Sequence, residues 1–547
     1  PGGNELMRFM GRLVFIFLIA GIALGQSAPE NGSTKSVEEQ LQTLQKTLAA
    51  QQAQMAEQQK QIEELQRQLK EKQNPEPQVV NASMTTSGAP AAAVTQSDVE
   101  KPKESPLSFR IGAADFTPGG FVDFENVFRT TNSGSAISTN FGAIPFSNSA
   151  QGQLTEFRST GQYSRFNLKV GSKFHDTDIT GYLEGDFNGN DAASVFQTTN
   201  PHTLRLRLYW LDLKHGPWEL LGGQSWGLET PNRVGISAAP ADLAITLNED
   251  SNVGVGIPYS RASLFRLGWH PAKSFAWGVE VQNPQQFTNG EVVFPSAFAT
   301  TLGKQFDPEG GANIPNWFPD IVSKIALDKS GDRHIHLEAG GMLTSVKIAV
   351  QNTPATAASP FVTDSKMGSA VMGAFNFDAF KRARVLVNGI WGTGIGRYLV
   401  GQGPNAVVVP VALTPTVFTA TTSMVHAGAT TIGLEVPWGK NTEFGAYYGG
   451  DYFQRNTFVD VTSTAATQPF IGFGGPSSAS NNNRAIQEGT LDIVHTFWKH
   501  PQYGSLVVIN QASYLTRSPW FVATTPTPAP KNAHLFMNYL SLRYVLP

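Results

Sequence analysis

The chain contains no cysteine in 547 residues, and this absence excludes a disulfide framework, a thiol nucleophile and thiolate metal ligands. Charge is also sparse. Charged residues make up 15% of the chain, and the formal net charge is −3. No basic run of the kind that binds nucleic acid is present, so we expect no nucleic-acid partner.

Signatures of catalysis are missing as well. The sequence has no serine nucleophile elbow, no His-Glu-x-x-His and no phosphate-binding loop. His334 and His336 are two residues apart on a predicted strand and therefore share a face. We interpret them as solvated polar residues rather than metal ligands, because only Glu338 accompanies them. The sequence predicts no enzyme, no metal site and no cofactor.

Long hydrophobic runs are missing too, apart from one near the N-terminus. Arg8 and Arg12 precede the apolar segment Leu13 to Leu24, which is shorter than the ~20 residues of a membrane-spanning helix. Small residues then precede a cleavage position between Gly25 and Gln26. This order predicts a signal peptide within residues 1–25, with the residues before Met7 lying upstream of it. A retained membrane anchor is the alternative.

Residues 37–72 carry a heptad pattern. Leu41, Leu48, Met55, Ile62 and Leu69 occupy one seam position without a slip. The pattern predicts a coiled coil within residues 26–73, which would be periplasmic and would associate chains. A single amphipathic helix on a surface is the alternative. Pro75 and Pro77 end the helix, and residues 74–106 are predicted to be a flexible linker.

From residue 107 to residue 547 the chain alternates apolar and polar residues, as in Leu204-Arg205-Leu206-Arg207-Leu208. Successive side chains of a strand point to opposite faces, so this segment places its three leucines on one face and its arginines on the other. Short turns such as His215-Gly216-Pro217 alternate with long polar connections. Together these features predict an all-β fold, a 16-stranded antiparallel transmembrane β-barrel after the helical coiled coil. The predicted strands are 120–129, 163–174, 179–188, 203–213, 217–227, 262–270, 274–283, 320–328, 333–347, 368–378, 382–393, 425–436, 442–453, 487–498, 503–514 and 534–546.

The polar face of these strands is the candidate pore lining. A lysine or arginine that faces lipid at the membrane midplane costs about 2–4 kcal/mol, so these charges are expected to face the lumen. Such a row of cations would guide anions. The alternative is that the acids of the third strand neutralise the cations. The candidate pore-lining residues are Arg165, Lys169, Arg205, Arg207 and Arg266, with the acids Glu184 and Asp186.

The third long connection, residues 227–259, carries four acids. These are Glu229, Asp242, Glu249 and Asp250. If the loop folds inward, it narrows the pore and sets acids against the basic wall. An external lid is the alternative that the pattern leaves open.

The arrangement of these parts resembles the DcaP-like trimeric porins of Gram-negative outer membranes. The similar segments are Leu204-Arg205-Leu206-Arg207 with Gly223-Gln224-Ser225-Trp226, then Gly278 to Pro284, then Tyr503-Gly504-Ser505-Leu506 and Tyr514-Leu515-Thr516-Arg517. The resemblance implies a homotrimer that takes up small anionic solutes, with dicarboxylates as the best-known substrates. It also implies that Arg165, Arg205 and Arg207 face the solute.

Two other groups of porins are alternative interpretations of the sequence. Phosphate-selective porins share the strand number but need a denser ladder of cations. Sugar-specific porins line the pore with aromatic rings, for which Tyr163, Tyr182 and Tyr209 are candidates.

The function we expect is therefore passive diffusion of small hydrophilic solutes through an outer-membrane porin. Its expected contacts are outer-membrane lipid and two further copies of the chain, joined through the barrel wall and the coiled coil. The alternative function is structural, with the barrel anchoring the coiled coil to the cell wall.

Overall fold

The computed structural model describes residues 105–189, 202–239, 243–307, 316–331, 333–380, 383–476, 482–522 and 530–547. The predicted signal peptide, the coiled coil, nearly all of the linker and Asp242 lie outside these ranges. Within them, no helix is long and apolar enough to cross a membrane.

Sixteen strands of the described residues form one antiparallel sheet. Two short segments, Phe109–Ile111 and Glu156–Thr160, extend the same sheet beside the first strand. In chain order the sixteen strands are β1 (Ala114–Arg129), β2 (Arg165–Phe174), β3 (Thr177–Asp186), β4 (Arg205–His215), β5 (Trp218–Trp226), β6 (Arg261–Ala272), β7 (Phe275–Gln282), β8 (Asp320–Lys329), β9 (Ile335–Gln351), β10 (Phe361–Phe380), β11 (Ala383–Thr393), β12 (His426–Trp438), β13 (Thr442–Phe453), β14 (Asn483–His500), β15 (Gly504–Pro519) and β16 (Ala533–Val545).

The sheet closes into a barrel. Each strand pairs with the next, and β1 pairs with β16 over Phe121–Arg129 and Met537–Val545. Closure leaves no sheet edge exposed along the ring. Each of the sixteen predicted strands overlaps one observed strand, so the predicted all-β barrel is confirmed. Short turns and long loops alternate, and we refer below to a short-turn end and a long-loop end of the barrel.

The barrel is apolar outside and charged inside. On β1, Val122 and Phe124 are 62% and 54% exposed, whereas the intervening Asp123 and Glu125 are 2% and 0% exposed. A soluble sheet buries its apolar face and exposes its charges, so this strand has the reverse arrangement. The arrangement is the one that a surrounding hydrocarbon phase requires.

Aromatic pairs lie at both ends of the outer wall. At the short-turn end, Trp218 is 6.1 Å from Trp269 between ring centroids, and Trp498 is 6.1 Å from Tyr544. At the long-loop end, Trp391 stacks on Tyr452 at 5.9 Å. Two such girdles mark the interfaces of a transmembrane barrel.

A β-bulge in β4 corrects one detail of the sequence prediction. Glu184 of β3 pairs with Leu208, but the next residue, Gly185, pairs with Leu206, so Arg207 is the extra residue. Leu208 is consequently buried at 1% exposure, and Tyr209 is turned outward at 39%. The predictions that Leu208 shares a face with Leu204 and that Tyr209 faces the lumen are therefore wrong. A bulge reverses the alternation of the residues that follow it.

Candidate functional site

The long connection between β5 and β6, of which the structure describes residues 227–239 and 243–260, runs inside the barrel and is called the inner loop below. Its first part is held by carboxylates of the wall. Glu280 on β7 accepts a hydrogen bond from the Leu228 amide at 2.6 Å, and Asp328 accepts one from the Gly235 amide at 3.0 Å. Because Asp328 is next to the last residue of β8, this part of the loop descends to the short-turn end.

The second part of the inner loop is bonded to another sector of the wall. The Val255 amide donates to Glu488 at 2.9 Å, and the Gly256 amide donates to Asp451 at 3.1 Å. Leu247 donates its amide to the Gln511 side chain. The loop therefore crosses the lumen, and of the two arrangements that the sequence allowed, the inward fold is observed.

Beside this loop, arginines of β4 meet the acids of β3. Arg205 binds Asp186 through two hydrogen bonds of 2.9 and 2.7 Å. Arg207 contacts Glu184 at 2.8 Å and Asp186 at 3.0 Å, and Arg165 of β2 lies 3.8 Å from Glu184. These residues are brought together because β2, β3 and β4 are adjacent and the charges occupy their inward positions.

Asp250 of the inner loop completes the cluster. Its carboxylate accepts hydrogen bonds from Arg205, from Arg207 at 3.1 Å and from Arg261, the first residue of β6. We call Arg165, Arg205, Arg207 and Arg261, together with Glu184, Asp186, Glu249 and Asp250, the arginine–acid cluster. Arg261 was not predicted, because it lies at the edge of its strand, outside the alternating run.

The backbone at Asp250 is unusual. Asp250, Ser251 and Asn252 have φ angles of 52°, 51° and 142°, in the region that residues other than glycine rarely adopt. Such conformations cost about 1–3 kcal/mol each and persist where surrounding contacts impose them. The three arginine contacts of Asp250 supply that constraint.

Burial and neighbouring charges shift the pKa values of Glu249 and Asp250, the two acids of this turn, in opposite directions. Burial opposes the ionisation of Asp250, but Arg261, Arg207 and Arg205 outweigh it, so the pKa of Asp250 lies well below its ordinary value. Burial and the charge of Asp250 raise the pKa of Glu249 to about 7. Near neutral pH, Glu249 is therefore partly protonated, while Asp250 is ionised.

Solvent exposure separates the predicted pore-lining residues. The side chain of Arg205 is 28% exposed and that of Arg165 is 14% exposed, and Lys169 is exposed. Arg207 is 1% exposed behind Asp250. Arg266 is fully buried against Glu280 at 3.0 Å. Arg207 and Arg266 thus lack the accessible surface that direct contact with a solute needs, and the pairing of β3 acids with the cations is observed in the geometry.

The inner loop also covers a second charged group on β8 and β9. His336 is fully buried, 2.8 Å from Asp328 and 3.1 Å from Glu338, and Lys324 lies 3.0 Å from Glu338. The expectation that His336 is a solvated lumen residue is therefore wrong, because the inner loop covers it. Among the described residues, no set of three or more histidines and acids is placed to hold a metal ion.

The last predicted loop acid that the structure describes, Glu229, lies apart from the arginine–acid cluster. It accepts a hydrogen bond from Gln282 of β7 at 3.3 Å. Burial and the nearby charge of Glu280 raise its pKa to about 7. Of the four predicted loop acids, Glu249 and Asp250 therefore belong to the cluster, Glu229 faces another part of the wall, and Asp242 lies outside the described residues.

Comparison with known proteins gives a result at the level of fold. No protein-family model matches the chain, and no curated protein matches it in sequence. The outer membrane channel DcaP of Acinetobacter baumannii aligns with a TM-score of 0.52 and 15% identity, over 80% of this chain and 99% of that chain. OmpT, an outer membrane protein of Vibrio cholerae, aligns at 0.40 and 10% identity over 80% and 99% of the two chains. The anion-selective porin from Comamonas acidovorans aligns at 0.40 and 11% over 79% and 99%.

The closed barrel, its apolar outer wall and its inner loop define a porin-type β-barrel fold. Within that class, the fold of this chain is similar to that of DcaP.

Proposed function

We propose that the protein is a passive diffusion channel of the outer membrane for small hydrophilic solutes. The observation that carries this proposal is the inner loop, which enters the barrel and is bonded to two sectors of its wall. A loop that narrows a closed barrel limits the size of the solute and places fixed charges beside its path.

The arginine–acid cluster supports a preference for anions. It contains four guanidinium groups and four carboxyl groups, of which Glu249 is partly protonated near pH 7. The cluster therefore carries a small excess of positive charge, and Arg205 is its most accessible cation, followed by Arg261 and Arg165. Small anions, dicarboxylates included, are the proposed solutes, because two carboxylates can engage two guanidinium groups at once.

The proposed assembly is a homotrimer joined through the barrel wall and through residues 26–73, with the latter in the periplasm. The apolar outer wall supports contact with outer-membrane lipid. Diffusion through such a channel needs no catalytic step, and we propose no enzymatic role.

The test is conductance in a planar bilayer under a salt gradient. We expect open-channel steps and a reversal potential that indicates anion preference. Arg205→Ala should lower that preference, whereas Lys440→Ala, an exposed cation in the short turn after β12, should leave it unchanged. Cation preference in the unsubstituted protein would contradict the anion proposal, and folded protein without any steps would contradict the channel.

A further inference from the structure

An aromatic and basic patch lies on the outer wall at the long-loop end. Trp391, Gly428, Tyr452 and Ala485 pair in sequence across β11 to β14, so they form one row. Tyr452 lies between Asp451 and Phe453, which are buried inside the barrel, and therefore points outward. Trp520, directly after β15, lies 6.3 Å from Tyr452 between ring centroids and extends this row.

Trp520 is held by a hydrogen bond, and two arginine side chains lie beside its ring. Its indole nitrogen donates to the Phe453 carbonyl at 2.9 Å. The guanidinium carbons of Arg455 and Arg484 lie 5.6 and 5.8 Å from the centroid of its ring. Both arginines are exposed, and neither forms an ion pair within the described part of the chain. We call Arg455, Arg484 and Trp520 the rim patch.

The acids nearest to the rim patch in sequence, Asp451, Asp460 and Glu488, are all buried, so none of them lies on the surface beside its cations. Residues 461–487 include no acid, and no acid follows Asp492 to the end of the chain. Lys531, exposed just before β16, adds a further cation at the same end of the barrel. The arginines of the arginine–acid cluster and Arg266 are paired with carboxylates, whereas Arg455 and Arg484 have no carboxylate partner among the described residues.

We propose that the rim patch binds the phosphorylated headgroup of a lipid in the outer leaflet. This inference rests on the proposed location in the outer membrane. Aromatic girdles lie at the level where hydrocarbon meets headgroups, so cations beside the girdle at the long-loop end face the headgroups of that leaflet. Arginine suits this role because its planar donors match phosphate oxygens.

The arrangement of the two cations favours an anionic occupant. Two guanidinium groups beside one ring repel each other, and cation–π contact at an exposed site contributes only about 0.5–1 kcal/mol. A phosphate group that contacts both removes the repulsion. The Trp391 ring lies over Gly428, where a Cβ would clash with ring atom Cε3, and it stacks on Tyr452. The two rings therefore form a continuous aromatic surface against which an acyl chain can pack.

The experiment measures lipid retention by the purified, folded full-length protein in detergent micelles. The probes are lipid A carrying its phosphates, the same lipid with the phosphates removed, and inorganic phosphate alone as a competitor. We expect retention of the phosphorylated lipid to fall about tenfold or more in Arg455→Ala/Arg484→Ala. Lys499→Ala, an exposed cation at the short-turn end of β14, is the matched control and should retain the lipid.

Arg455→Lys/Arg484→Lys keeps the charge and should retain part of the binding, which separates loss of charge from loss of fold. Equal retention of the two lipids, or equal retention by the double alanine variant, would overturn the inference. Displacement by millimolar inorganic phosphate would also overturn it, because the site would then serve a soluble anion.

Bilayer conductance of the same double variant is the second readout. Unchanged conductance with lost lipid retention supports the inference. Conductance without any preference for the phosphorylated lipid refutes the rim patch and leaves the channel standing. Selective lipid retention by a folded protein that conducts nothing refutes the channel and leaves the rim patch standing.

Discussion

At the scale of single residues, Asp250 joins the inner loop to the barrel wall. It contacts three arginines from two strands, and it is 2% exposed. A buried carboxylate shared by three guanidinium groups both holds the loop and lowers the net positive charge of the lumen wall. Its neighbour Glu249 differs from it in protonation. Asp250 stays ionised, whereas the carboxyl of Glu249 changes its protonation near neutral pH.

The substitution Asp250→Asn tests whether Asp250 holds the inner loop against the barrel wall. Asparagine keeps the size of the side chain but removes its charge, so the three arginines lose a shared partner. Breaking a buried ion pair costs about 3–5 kcal/mol, and we expect protease to cut the inner loop more readily. We also expect stronger anion preference, measured by the reversal potential. Asp176→Asn, in the exposed turn between β2 and β3, is the control and should change neither quantity.

The raised pKa of Glu249 predicts that the anion preference of the channel depends on pH. The pKa of Glu249 is raised to about 7 by burial and by the charge of Asp250, so its carboxyl is neutral below pH 7 and negative above it. Anion preference should therefore be stronger at pH 6 and weaker at pH 8. Glu229 titrates in the same range, so Glu249→Gln should reduce the change and Glu249→Gln/Glu229→Gln should reduce it further. A pH dependence unaltered by both substitutions would exclude this origin.

At the scale of elements, the inner loop is positioned by acceptors on distant strands. Its amides donate to Glu280 on β7, to Glu338 on β9 and to Glu488 on β14. Unpaired backbone amides buried in the lumen would each cost free energy, so these carboxylates determine the path of the loop.

Glu488→Ala tests this mechanism. The substitution leaves the Val255 amide and the Asn248 side chain without an acceptor, at a cost of about 1–3 kcal/mol for each buried donor. We expect a more mobile inner loop, seen as current noise and as fluctuating single-channel conductance. Glu488→Gln keeps one acceptor oxygen and should show a smaller effect. If the alanine variant conducts as steadily as the unsubstituted protein, Glu488 does not hold the loop.

At the scale of the whole molecule, the barrel is closed by pairing between its first and last strands. Contacts within the described residues therefore complete the ring without any part of residues 1–104. The proposed solute passage can therefore be tested separately from the proposed association of chains, which the heptad pattern predicts for residues 26–73.

Deletion of residues 26–73 tests that separation. We expect folded barrels with unchanged single-channel conductance and weaker association of chains, measured by light scattering in detergent. Deletion of residues 78–104, which spares the heptads, is the control for shortening the segment. Loss of conductance from folded barrels would show that the pore depends on the N-terminal segment. Intact solute entry with failed envelope integrity in cells would instead favour the anchoring function.

The sequence by itself determined the number of strands, their approximate positions and the face on which most side chains lie. Side chains of a strand alternate with a local period of two, and the polar loops interrupt that period visibly. The acids of the inner loop and the arginines of β2 and β4 were identifiable in the same way.

Only the tertiary structure decided how these groups meet. The inward path of the inner loop depends on Glu280, Asp451 and Glu488, which are far from the loop in sequence and close only after the barrel closes. The bulge at Arg207 arises from pairing with β3, so alternation along β4 alone misplaced Leu208. The burial of Arg207 and the exposure of Arg205 follow from where Asp250 comes to lie, because solvent access depends on packing between elements.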